Sequence, residues 1–177
     1  MKTPRAEQPD VEPHLGVLRR YALVLTRSGD EAEDLVQEAL VRAMAAAHTW
    51  RPSREVRPWL LAILHNVHVS RRRRQQVEAA WAREQNHTAP AATPPAQYDH
   101  VQLGQTMAAL MTLPDEQREV LVLVALDGLS YKDVAEILSL PIGTVMSRLG
   151  RAREALRRAT GHDRTPATER PPLRVVS

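Results

Sequence analysis

The chain has 177 residues, with 24 Lys and Arg against 21 Asp and Glu and a net charge of +3. It is 43% hydrophobic but 3% aromatic and has no Phe, so a core must come from Leu, Val, Ile, Ala and Met, which suits packed helices better than a sandwich. Without Cys, disulfides and thiolate metal sites are excluded, and no apolar run approaches the roughly 18 residues that span a bilayer.

The first residues lack the apolar stretch of a secretory signal, so a cytoplasmic protein without membrane insertion is expected. A first helix is expected over residues 11–26, with Leu15, Leu18, Ala22 and Leu25 on one side, and Ser28-Gly29-Asp30 breaks it. The second, over 30–47, is the cleanest amphipath. Ala32, Leu35, Val36, Ala39, Leu40, Ala43, Met44 and Ala47 hold the helical repeat without a miss. Asp30, Glu31 and Glu33 near its start offset the helix dipole. The outward strip Asp34, Gln37, Glu38 and Val41 continues past the first turn and also fits a partner-docking face.

The loop 48–57 is stiffened by Pro52, with Pro58 at its edge. A third helix is expected from near Pro58 through Arg71-Arg72-Arg73-Arg74, as far as Arg83. Trp59, Ile63, Asn66 and Ser70 share one face; Leu60, Leu64, Val67 and Arg71 share another. If the second face serves the core, Trp59 and Asn66 stand together upstream of the arginines. A ring to stack, an amide to read an edge and guanidiniums for phosphates suit unstacked bases. A core Trp and a solvated basic helix end are the plainer alternatives. His65 and His68 are three apart but have no third ligand or general-base partner. They read as helix-surface residues, and no metal, cofactor or catalytic residue is expected.

Residues 84–100, with Pro90, Pro94 and Pro95, read as a flexible linker. Pro114 fits a first helical turn, and the apolar run from Val120 stops at Asp127-Gly128. Ser130 with Asp133 is a capping-box pattern opening a helix that puts Val134, Ile137 and Leu138 on one side. After Ser139-Leu140-Pro141, a last helix buries Val145, Leu149, Ala152 and Leu156. Its other faces carry Thr144, Ser147, Arg148, Arg151, Arg153, Arg157 and Arg158. Two short helices joined by a tight turn, the second rich in Arg and hydroxyls, suit a DNA major-groove reader; a solvated basic helix is the alternative. The Pro-rich tail 161–177 reads as disordered.

Three segments carry a family resemblance: DLVQEALVRAM (34–44), WLLAILHN followed by RRRR (59–66 and 71–74), and the stretch from LPDEQREVL to GTVMSRLGRAREALR (113–157). In this order they resemble an extracytoplasmic-function (ECF) sigma factor, a promoter-recognition subunit of bacterial RNA polymerase. The resemblance implies an all-α chain of two small domains. These are a region 2-like bundle over 11–83, for polymerase docking and for recognition and melting of the −10 element, and a region 4-like helix-turn-helix over 101–160 for the −35 element. It implies an alternative sigma factor, not an enzyme, of the kind used in stress or envelope responses. Its partners would be core RNA polymerase, promoter DNA and an anti-sigma factor. Asp34, Leu35, Gln37 and Glu38 match the polymerase-docking segment. Trp59, Asn66, Arg71 and Arg72 fall at the −10 DNA, with the loop 48–57 lining the base pocket. Thr144, Met146, Ser147, Arg148 and Arg151 fall on the −35 recognition helix. Met146, Gly150, Ser139 and Ser70 depart from the usual family residues at their positions. Met146 cannot fork onto guanine as Arg does, so the −35 sequence is not inferred. Rival readings are a stand-alone helix-turn-helix regulator and a sigma-mimicking partner of an anti-sigma protein.

Overall fold

The structure is a computed structural model that describes residues 9–85, 105–125 and 128–160. The expected linker from residue 86, the tail 161–177 and the Leu126-Asp127 corner lie outside the described residues. All regular structure among them is helical.

A single 3-10 turn, Glu12–His14, leads into α1 (Leu15–Thr26), which buries Leu18, Tyr21, Ala22, Val24 and Leu25. Arg27 ends it in the left-handed region at φ 58°. Ser28, expected only as a breaker, is the N-cap of α2 (Gly29–Ala45): its hydroxyl accepts from the Glu31 amide at 3.4 Å, and Asp30 and Glu31 occupy the first turn. Ala32, Leu35, Val36, Ala39 and Ala43 are buried as the spacing predicts. Met44 departs from that stripe and is 69% exposed, because it falls about 100° round the helix from Ala43, on the side of Gln37 and Val41.

The third helix, α3, spans Val56–Gln85 and so takes in the start of the expected linker. It buries Leu60, Leu61, Leu64 and Val67 against α1 and α2. His68 is also buried, at 8% exposure, which corrects its reading as a surface residue: it falls one turn beyond Leu64, on the inward side.

The second bundle holds α4 (Gln105–Thr112), α5 (Asp115–Ala125), α6 (Tyr131–Leu138) and α7 (Ile142–Ala159). The sequence reading had no separate helix at α4, whose eight residues carry no capping pattern. Ser130 caps α6, though without the reciprocal backbone bond of a full capping box: it accepts from the Asp133 amide at 3.1 Å and donates to the Asp133 carboxylate at 2.6 Å. Ser139 closes α6 at φ 53°, a conformation that favours Gly, and the chain turns at Pro141 into α7. Val145, Leu149 and Ala152 are buried, and Leu156 packs half-buried against the core.

The two bundles touch, which the sequence reading did not anticipate. α1 lies on α5 and α3 on α6, and the buried apolar residues of both bundles form one connected cluster.

The helix ends give a stability test. Ser139→Gly relieves the left-handed strain and is expected to stabilise the fold by about 1 kcal/mol; Ser130→Ala removes the cap and costs about 1 kcal/mol. Urea unfolding followed by circular dichroism reads both.

Candidate nucleic-acid and polymerase interfaces

Three surfaces collect the residues singled out in the sequence. On α2, Asp34 and Gln37 are exposed, and Val41 and Met44 continue the same face at 61% and 69% exposure. An acidic strip with apolar members is thus available to a partner. Leu35 is not part of it: at 0% exposure it supports the strip from the core side. Glu38 sits at its edge, held by Arg42 at 2.7 Å and by Arg71 of α3 at 2.5 Å, with Arg74 3.9 Å away. Partial burial works to raise the Glu38 carboxyl, but the hydrogen bonds and charges of Arg71 and Arg42 outweigh it and hold it below the usual carboxylate range.

The second surface surrounds the loop 48–57. Trp59 is half-buried, and its indole donates to Thr49 Oγ1 at 3.3 Å. Trp50, which the sequence reading left within the loop, donates to the Arg54 carbonyl at 3.1 Å. Thr49 in turn donates to the Ala46 carbonyl at 2.8 Å. These bonds fix two indoles beside an open cleft of about 790 Å³, walled on its far side by Lys132, Asp133 and Glu136 of α6. Asn66 is exposed about two turns beyond Trp59, and Ser70 donates to its carbonyl at 2.8 Å. Arg71 and Arg72 do not stand with it. Arg71 turns to Glu38 and to the Asp34 carbonyl, while Arg72 lies 3.6 Å from Asp115 of α5. Arg73, seven residues on from Asn66, shares its face instead, and only the helical repeat could have shown this.

The third surface is α7. Ser147 and Arg151 are exposed and Thr144 is half-buried on one arc; Ser147 donates to the Thr144 carbonyl at 3.0 Å and Arg151 to that of Ser147 at 3.3 Å. Met146 is 55% exposed, toward the other edge of the solvent face. Arg148 is separated from these side chains. Its side chain is 19% exposed and pairs with Glu116 of α5 at 2.7 Å.

Between the bundles lies a joint that sequence reasoning missed. Arg118 of α5 is 1% exposed. It donates to the Val24 carbonyl of α1 at 3.3 Å, to the Leu113 carbonyl at 2.8 Å and to Asp115 at 2.6 Å. Val24 lies in the last turn of α1, where a carbonyl has no intrahelical donor and a cation is favoured. Asp115 also accepts from Arg27 at 2.6 Å. Burial pushes its carboxyl up, and Arg118, Arg27 and Arg72 more than reverse this. Beside the joint, burial raises Glu119 to about 7, reinforced by Asp115 and opposed by Arg118, Arg72 and Arg148. Burial lowers His68 to about 4, aided by Arg72 and His65, and its Nε2 has no hydrogen-bond partner among the described residues. No group of three potential metal-ligating side chains occurs among the described residues.

The described residues thus form two helical bundles, the second ending in a basic, hydroxyl-bearing helix after a tight turn. The Sigma-70 region 2 family model matches residues 11–78, and the Sigma-70, region 4 model matches residues 103–156. The chain is 40% identical over 141 residues to the ECF RNA polymerase sigma factor EcfG of Rhodopseudomonas palustris, covering 78% of this chain and 76% of that one. Among solved structures it is similar to the sigma factor RpoE in complex with the anti-sigma factor NepR from Bartonella quintana. That match has 34% identity and a TM-score of 0.70, and covers 87% of this chain and 96% of that one. It is also similar to CnrH in complex with the cytosolic domain of CnrY, at 27% identity and a TM-score of 0.59, covering 86% of each chain. The chain belongs to the ECF RNA polymerase sigma factor family. Such factors initiate transcription by binding and are not enzymes.

Half-buried Glu119 and buried His68 give opposing pH signs. Glu119 binds its proton more tightly in the fold, so its contribution is present below about pH 4.5 and is lost as pH rises through 7. His68 binds its proton less tightly, so the fold loses stability as pH falls from 6.5 to about 4. Glu119→Gln removes the first effect alone. The variant is expected to exceed the native chain in stability by up to about 3 kcal/mol more at pH 8 than at pH 4.5, measured by urea unfolding at both pH values.

Proposed function

We propose that this chain is an alternative sigma factor whose bundles divide the task at residues 11–83 and 101–160. The first docks on core RNA polymerase and captures unstacked bases of the −10 element. The second holds the −35 duplex. The observation that carries the reading is the coexistence, in one small helical chain, of the exposed Asp34–Gln37–Val41–Met44 face, the Trp50–Trp59 cleft and the Thr144–Ser147–Arg151 arc.

Each surface has a physical role. The acidic, partly apolar face of α2 complements a basic helical partner, with Asp34, Gln37 and Glu38 making the polar contacts. Unstacking a base costs a few kcal/mol, and indole stacking with amide edge contacts offsets it. Trp59 and Asn66 supply these, and Arg73 joins Arg71 and Arg72 as a candidate phosphate partner. On α7, Arg151 and Ser147 read base edges or phosphates in the major groove, Thr144 supports them, and Met146 offers an apolar contact to a thymine methyl. Arg148 joins them only after leaving Glu116.

RNA polymerase as partner supports a cytoplasmic location; no helix among the described residues is long and apolar enough to cross a membrane. The similarity to two sigma factors solved with anti-sigma proteins supports an anti-sigma partner here as well. A stand-alone helix-turn-helix regulator would leave the α2 face and the indole cleft without a purpose.

Charge reversal tests the docking face. Asp34→Lys, at an exposed site, is expected to weaken binding to core polymerase at least tenfold by about 1.4 kcal/mol or more, with helical content unchanged. Native binding would remove α2 from the interface. On α7, Arg151→Ala is expected to cost about 1–3 kcal/mol on cognate promoter duplex if it reads a base. A uniform loss across sequences with a salt slope smaller by about one marks a phosphate contact instead. Titrations at several salt concentrations separate the two.

A further inference from the structure

Two large apolar side chains stand in water at the start of α7. Ile142 is 51% exposed and Met146 55%, and neither packs against the connected core cluster. They are four residues apart, so they are neighbours one turn from each other on the helix surface. The stripe Val145, Leu149 and Ala152 already seats α7 on its own bundle. A single exposed apolar residue is ordinary, but this is an adjacent pair, spare to the fold, on the helix assigned to the −35 duplex.

The polar chemistry around the pair is sparse. From Pro141 to Ser147 the sequence is PIGTVMS, with no charge and no side-chain amide. Its two hydroxyls belong to Thr144 and Ser147, and Ser147 gives its proton to the Thr144 carbonyl at 3.0 Å. The next side chain, Arg148, is held by Glu116 at 2.7 Å. The first turns of α7 thus hold no free group that could fork onto guanine. Gly143 and Gly150 lie beside the pair, and a Cβ built on either would meet nothing within 4 Å. The surface there is low and open, and Ile142 and Met146 stand out from it.

A recognition helix in the major groove meets base edges with its N-terminal residues. Those edges display hydrogen-bonding groups on every base and a single apolar group, the C5-methyl of thymine. Against a polar edge, an Ile or Met side chain strips water without supplying a bond. Against a methyl group, both surfaces leave water favourably.

We propose that Ile142 and Met146 read the methyl groups of two thymines in the −35 element and so set a preference for A·T pairs at those positions. For a helix lying along the groove, one turn advances about 5.4 Å, between one and two base steps of about 3.4 Å. The two thymines therefore occupy adjacent or next-adjacent pairs. Ile142 is stiff at χ1 and fixes the register, whereas unbranched Met146 adapts to a methyl on either strand. The inference rests on the placing of α7 in the −35 groove; it adds Ile142 as a specificity-determining residue and a methyl group as what the pair recognises.

The test uses the full chain on core polymerase and promoter duplexes that this holoenzyme enriches from a library randomised over the −35 region. Thymines of the enriched −35 element are then replaced by deoxyuridine, which removes the methyl and keeps every hydrogen-bonding group. Each lost methyl contact is expected to weaken binding about fourfold, and both together roughly fifteenfold. Ile142→Ala with Met146→Ala, at two exposed positions, is expected to keep native helical content by circular dichroism and to bind thymine and uracil duplexes alike. Enriched elements without two such thymines, equal binding of the two duplexes by the native chain, or native discrimination by the double variant overturns the inference. Enrichment of no −35 sequence removes α7 from the promoter, and the inference falls together with the reading it rests on.

Discussion

The structure turns on one buried cation. Arg118 is the largest fully buried side chain among the described residues, and a guanidinium cannot shed its charge when it leaves water. It must be met by acceptors, and the acceptors come from both bundles: the Val24 carbonyl on one side, the Leu113 carbonyl and Asp115 on the other. Removing one partner of such a group commonly costs about 3–5 kcal/mol because the remaining charge stays buried and uncompensated. The joint therefore sets how α1 sits on α5, and through Asp115 it reaches Arg27 and Arg72. The apolar packing of α3 on α6 follows the same closure.

This joint changes what the family assignment means for this chain. A sigma factor has to face three partners with a small helical surface: polymerase, melted strand and duplex. The faces proposed for them lie on separate helices, and several of their charged residues are already paired within the chain. Glu38 of the docking strip holds Arg71, and Glu116 holds Arg148. Residues expected to meet a partner are already in ion pairs within the chain. Partner binding is then an exchange of ion pairs rather than their creation. Such exchange limits the net gain per contact and favours discrimination over raw affinity.

Much of the fold was legible because it is written in local periodicity. The stripe from Ala32 to Ala43 and the stripe from Val145 to Ala152 are buried as spacing predicts, and the Ser130–Asp133 cap forms. Errors came where local pattern yields to tertiary contact. Met44 lies at the edge of the α2 stripe and is exposed, and His68 looks like a surface residue but turns inward beside the second bundle. Leu35 matches the docking segment by position yet faces the core. The four consecutive arginines were read as one patch, whereas a helix sends Arg71 to α2, Arg72 to α5 and Arg73 to the Asn66 face. Arg118 gave no signal in the sequence, because a lone Arg within an amphipathic helix ordinarily faces water.

The central claim is that this chain, joined to core RNA polymerase, supplies the start address for transcription. Run-off transcription from genomic fragments, with core polymerase and the purified chain as the only added factors, tests it most directly. The account predicts discrete transcripts that require the chain and arise from fragments sharing a common pair of upstream elements. Transcripts independent of the chain, or none despite its binding to polymerase, would contradict it.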